Sequence, residues 1–292
     1  MKISIIKKQA TPSSSNLSFQ YDSTVDQYLV GATQFFYTFG NKDHHVKKIK
    51  LNMAPSNSGN DVNATISMTL NDDSGNDISS TSYVDVTSLA ALGQNSNSTV
   101  QLTSNLSFPS GSSSNQIGLR NNTYVNEALM EGFEMAFDGD HHVKRIHADV
   151  SVSVQQGASA TLSGTADMYD DSGHSATTKS LQGGYLGTYI NGSDSGIVSV
   201  EQNYKTGTGL QHVDLTTHLG GKNLTGAAVF IKTYDLAFNN DHHMKSLRVG
   251  ADGVVFDNKT ISFTPYAAMT DNSGHSASGS VTLVIVGACD PS

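Results

Sequence analysis

Six of the eleven histidines in this chain lie in three His-His pairs, each preceded by an aspartate. Asp43-His44-His45-Val46-Lys47-Lys48-Ile49 returns as Asp140-His141-His142-Val143-Lys144-Arg145-Ile146 and again as Asp241-His242-His243-Met244-Lys245-Ser246-Leu247. Imidazole and carboxylate together can hold a divalent metal ion or form hydrogen-bonded pairs. Successive residues of a strand point to opposite faces, so the neighbours His141 and His142 cannot readily chelate one ion. Asp140 and His142 share a face. A second motif supplies a third group: Asp72-Asp73-Ser74-Gly75, Asp170-Asp171-Ser172-Gly173 and Asp271-Asn272-Ser273-Gly274 follow at nearly constant spacing. His174 and His275 come next in the second and third copies, whereas Asn76 stands in the first. The candidate sets for a divalent metal ion are therefore Asp140, His142 and His174, and Asp241, His243 and His275. Such sites would be altered in the first copy. The competing reading is structural and is preferred: Asp140 accepts from the ring of His142, and all three copies behave alike.

Other chemistry finds less support. Asp72, Asp73 and Asp77 offer hard oxygens for calcium, but the later copies carry fewer carboxylates, which favours a plain turn. There is no Gly-x-Ser-x-Gly elbow, phosphate loop or His-Glu-x-x-His sequence. The letters Asp-His-His also name a phosphoesterase family. Those enzymes are α/β proteins that use the motif once with further aspartate motifs, a pattern this chain does not share. A non-catalytic protein is expected, with no cofactor beyond the candidate metal.

The elements that must position these residues read as strands. Phe35, Tyr37 and Phe39 alternate with other residues, and the matching face carries Phe133, Met135 and Phe137, then Tyr234, Leu236 and Phe238. All three terminal phenylalanines are expected to be largely buried. Beyond the motif, Ile146, Ala148, Val150 and Val152 keep the period of two. Gly40-Asn41-Lys42, Asp138-Gly139 and Asn239-Asn240 read as hairpin turns between these strands, and the Asp-Asp-Ser-Gly tetrads as a second set. The fold class expected is all-β: three tandem antiparallel β-sandwich domains of one repeated type, at 1–94, 95–192 and 193–292. Polar stretches at 94–99 and 191–196 mark the junctions.

Composition limits the function classes. Charged residues make up 15% and the formal net charge is −9, which argues against a basic nucleic-acid-binding face. The single cysteine, Cys289, cannot form an intramolecular disulfide. No stretch approaches a membrane span, the N-terminal segment does not read as a signal peptide, and localisation is left open. Eight Asn-x-Ser/Thr sequons are no more than this Asn-, Ser- and Thr-rich chain would give by chance. The expectation is a multivalent, lectin-like binder of glycans or a surface receptor; the absence of Trp stands against it, and Tyr185, Tyr189, Tyr204 and Tyr266 could substitute as sugar platforms, though tyrosine in a β-protein is more often half-buried packing. The alternative is a structural, self-assembling subunit of a particle, tail or filament. Either role suits a homo-oligomer.

Overall fold

The computed structural model describes residues 1–93, 99–109 and 112–290. The first expected junction, at 94–99, lies outside them except for Thr99. The first segment supplies β1 (Lys2–Ala10), β2 (Asn16–Gln20), β3 (Val25–Thr38), β4 (Val46–Ser58), β5 (Asp61–Asn71) and β6 (Tyr83–Leu92). The second supplies β7 (Val100–Pro109), β8 (Ser112–Gly118), β9 (Val125–His141), β10 (Val143–Gln155), β11 (Ser159–Tyr169) and β12 (Thr178–Thr188). After a single helical turn, α1 (Gly192–Ser195), the third supplies β13 (Ile197–Lys205), β14 (Gln211–Asp214), β15 (Leu224–His242), β16 (Ser246–Phe256), β17 (Thr260–Thr270) and β18 (Ser278–Cys289).

The protein is all-β and antiparallel, with three six-stranded sheets, but no sheet is confined to one segment. Their strand orders are β1-β6-β3-β16-β17-β14, β2-β5-β4-β9-β12-β7 and β13-β18-β15-β10-β11-β8. Each segment splits in two. Its first, sixth and third strands form half of one sheet, and its fourth, fifth and second form half of the next. The halves meet in equivalent register: Ile49 opposite Met135, Ile146 opposite Leu236, Leu247 opposite Tyr37. The strands flanking each Asp-His-His motif therefore do not form the expected hairpin with each other. β9 pairs with β4 and β12, whereas β10 pairs with β11 and β15. The chain turns a corner from one sheet into the next at the motif. The Asp-Asp-Ser-Gly tetrads also join strands of different sheets, β5 to β6 and its counterparts. Their glycines do take the expected left-handed conformation, with φ of +86° at Gly75 and +90° at Gly173 and Gly274.

This exchange places equivalent residues of the three segments side by side. The rings of Phe35, Phe133 and Tyr234 meet with centroids 5.3, 5.6 and 5.7 Å apart, forming a threefold aromatic layer at the centre. Tyr37, Met135 and Leu236, two residues on, are fully buried. Phe137 and Phe238 are buried as expected, whereas Phe39 is only half-buried. The turn following Phe39 is one residue longer than its counterparts, a local reason for the looser packing. A second apolar cluster gathers Leu29, Leu129 and Phe230 with Leu89, Leu186 and Val284.

Candidate functional site

The motif holds the corner because its residues still belong to two sheets. His141 pairs with Val46, and two residues later Val143 pairs with His242. His44 and Met244 close the circuit with backbone hydrogen bonds of 3.0 and 2.9 Å. The residue between these pairings, His142, sits at the apex of the bend. The same holds for His45 and His243, so the second histidines of all three segments converge where the corners meet.

The two histidines of each pair accordingly face different surroundings. The first continues the inward face of its strand and packs on the phenylalanine before the turn. Centroid separations are 5.0 Å for Phe39–His44, 4.6 Å for Phe137–His141 and 4.8 Å for Phe238–His242. Its Nδ1 approaches the first aspartate of the tetrad: 3.4 Å for His44–Asp72, 2.9 Å for His141–Asp170 and 3.0 Å for His242–Asp271. His174 and His275 reach the same carboxylate oxygens at 2.8 and 2.6 Å, and Asn76 Nδ2 donates to Asp72 at 2.6 Å from the matching position. The other oxygen accepts backbone N–H bonds from within the tetrad loop, including those of Asn76, His174 and His275 at 2.8 Å. Burial pushes the carboxyl pKa values of Asp72, Asp170 and Asp271 up. The side-chain and backbone hydrogen bonds from Asn76, His174 and His275 outweigh it and hold all three below the ordinary aspartate value.

These Asp-centred clusters act as fasteners. An amide nitrogen does in the first segment what an imidazole nitrogen does in the other two, which is the behaviour of a hydrogen-bond donor. His141, Asp170 and His174, and likewise His242, Asp271 and His275, present ligand atoms within 4.8 Å of one another. Their close Nδ1–carboxylate contacts already engage the atoms that face the aspartate.

The second histidines form the other cluster. The His45 and His142 rings stack at 4.7 Å with 11° between planes. His243 lies edge-on to both, at 4.4 and 4.6 Å. Ring nitrogens of all three fall within 4.8 Å of one another. Partial burial, followed by the repulsion of His243, pushes the pKa of both His45 and His142 down.

The motif aspartates bind the neighbouring segment. Asp43 Oδ2 accepts the Asn272 N–H at 3.0 Å, while Asp140 and Asp241 accept the N–H groups of Asp73 and Asp171. Lys47 and Lys144 pair with Asp73 and Asp171, and Lys245 donates to Asn272 at 3.0 Å.

The expected sets are thus divided. His142 and His243 go to the axial cluster. His174 and His275 join the Asp-centred clusters, and Asp140 and Asp241 latch onto the adjacent tetrads. Asp140 does not accept from His142, because the corner breaks the period of two on which that pairing depended. Sequence reasoning missed the first histidines with Asp72, Asp170 and Asp271. The near-constant spacing of the two motifs was the available signal. It also missed the union of His45 with His142 and His243.

Elsewhere, a cleft of about 610 Å³ opens beside the start of β9, with Glu127, Ser199 and His218 in its wall. Ser199 Oγ donates to Glu127 at 2.7 Å. Of the tyrosines expected to offer sugar platforms, Tyr185, Tyr189 and Tyr204 are buried. Tyr266 lies under the Arg248 guanidinium, 3.5 Å from its ring centroid. Tyr185, Tyr189 and Tyr204 therefore offer no exposed ring to a sugar. Among the described residues, no helix is long and apolar enough to cross a membrane.

No family model matches the chain. No curated protein matches it either. Among solved structures, it is similar at 12% identity to one concerning the triple jelly roll fold and turret assembly in an archaeal virus, over 99% of this chain and 91% of that one, with a TM-score of 0.17. A structure of Sulfolobus Turreted Icosahedral Virus gives 11% identity over the same shares, also at a TM-score of 0.17. At such low scores these likenesses carry neither fold nor function.

Proposed function

We propose that this chain is a non-catalytic structural subunit that assembles with copies of itself into a particle, tail or filament. The observation that carries the reading is the exchange of half-sheets around the pseudo-threefold axis. It ties all three segments into one body, and the titratable residues that recur in every segment serve its corners. The surface fits such a role. Large apolar side chains exposed among the described residues are few, namely Met1, Tyr124, Leu210 and the adjacent Val255 and Phe256. Three of the six outer strands are guarded against indiscriminate pairing: β2 and β14 have five and four residues, and β1 carries Lys2, Lys7 and Lys8.

Light scattering coupled to size exclusion, with electron microscopy of the same sample, tests the reading. A discrete large species is expected as concentration rises. A strict monomer at high concentration overturns it. A positive glycan array on that monomer would restore the binding alternative.

A further inference from the structure

We infer that His45, His142 and His243 together bind one divalent transition-metal ion at the meeting point of the three segments. The inference is independent of self-assembly. It rests on the contrast between these imidazoles and every other histidine of the motifs. The first histidines lie against a carboxylate and an aromatic ring, with hydrogen bonds from His141 to Asp170 and from His242 to Asp271. Among the described residues the axial three rings have no hydrogen-bond partner, and their ring nitrogens lie within 4.8 Å of one another. His243 Nδ1 is 3.9 Å from Asp43 Oδ1, beyond hydrogen-bonding range.

Three imidazoles gathered without partners are poorly explained as packing, since they are partly exposed and any two that protonate repel. As ligands they make sense. Metal–nitrogen distances of about 2.0–2.1 Å require ring nitrogens about 3–3.5 Å apart in a tetrahedral or facial arrangement. The nitrogens already lie within 4.8 Å, and closing the set requires the partly exposed, stacked rings of His45 and His142 to rotate so that their lone pairs converge.

Charge favours a cation as well. Asp140 acts on His45, Asp241 on His142 and Asp43 on His243, each from a neighbouring segment. Backbone N–H bonds hold these aspartates in place. A purely imidazole donor set selects Zn²⁺, Co²⁺, Ni²⁺ or Cu²⁺ over Ca²⁺ and Mg²⁺. Three protein ligands leave at least one position for water. Because the ligands recur at intervals of 97 and 101 residues, the ion would also clip distant parts of the chain together.

The test uses the full chain without an affinity tag, loaded with Co²⁺ and dialysed. Metal content and the visible Co²⁺ spectrum are read for wild type, His142→Ala and a His141→Ala/His174→Ala double variant. About one equivalent is expected in wild type and in the double variant, and loss of at least nine-tenths of it, roughly tenfold, in His142→Ala. A chelator should lower the Tm of metal-loaded wild type and leave that of His142→Ala unchanged. Far-UV circular dichroism confirms that each variant is folded, and His142→Gln replaces His142→Ala should the latter fail. Absence of bound Co²⁺ from wild type at millimolar metal overturns the inference. So does retention of the full equivalent in a folded His142 variant, or its loss only in the double variant.

Discussion

Adjacent histidines of one dipeptide lead different lives in this protein. His141 lies against Phe137 and a buried aspartate, within one segment, in a cluster whose hydrogen bonds are complete. His142, the next residue, leaves its segment and meets His45 and His243 in a cluster without hydrogen bonds. The first cluster is local and tolerates Asn76 for His. The second is assembled from all three segments, with histidine in every one. Interchangeable donors mark a fastening role, and a uniform set of converging imidazoles marks a site with something to bind.

The sharpest blow to the local side is Phe137→Ala. It removes a ring that is 3% exposed and supports His141, and it should cost roughly 3–5 kcal/mol in urea unfolding. Phe39→Ala should cost clearly less, because Phe39 is only half-buried. Equal costs would show that the longer first turn does not loosen the packing.

Asp170→Ala comes next, at about 3 kcal/mol, since it strands the His174 N–H and the half-buried His141 imidazole beside a buried position. His142→Ala in metal-free protein should cost less than about 1 kcal/mol, as no hydrogen bond is lost. A reversal of that order would erase the distinction between the clusters.

Tyr234→Phe probes the axis beneath them. The Tyr234 hydroxyl is buried without a partner, whereas its counterparts Phe35 and Phe133 carry none. The substitution should stabilise the protein by about 1 kcal/mol, and a loss of stability would show that the hydroxyl has a partner.

Titration separates the clusters by pH window. The carboxyl groups of Asp72, Asp170 and Asp271 have folded pKa values below the ordinary 3.8, so the unfolded chain takes up protons first as pH falls. Their contribution is present above 3.8 and is lost as pH drops through the lowered values. His45 and His142 are also lowered, from 6.5, so metal-free protein should begin to lose stability once pH falls below 6.5. Unfolding curves of His142→Ala should flatten the arm below 6.5, and those of Asp170→Asn the acid arm. Exchange of those two effects would refute the assignment.

The smallest change expected is from His174→Asn. Asn76 performs the same task in the first segment, so stability should stay within about 0.5 kcal/mol. A large loss would give the Asp-centred cluster a role beyond fastening.

Much of this was legible in the chain itself. The repeated motifs announced three equivalent units, and the alternation through Phe133, Met135 and Phe137 identified the buried face. The tetrads declared their turns through Asp and Gly. Each of these signals is local, set by the period of a strand or the backbone freedom of one glycine. The alternation also placed His141 on the face of Phe137, had the strand been carried through Asp138-Gly139 instead of being ended there.

Partner choice was decided only in three dimensions. Backbone hydrogen bonds between strands carry no record of which segment supplied them. With three similar segments, β10 could satisfy its edge as well on its own β9 as on β15. The corner at the motif settles the matter, because a chain that bends at His142 cannot lay β10 back along β9. That non-local choice brings His45, His142 and His243 to one point, and spacing within a single segment holds no trace of it.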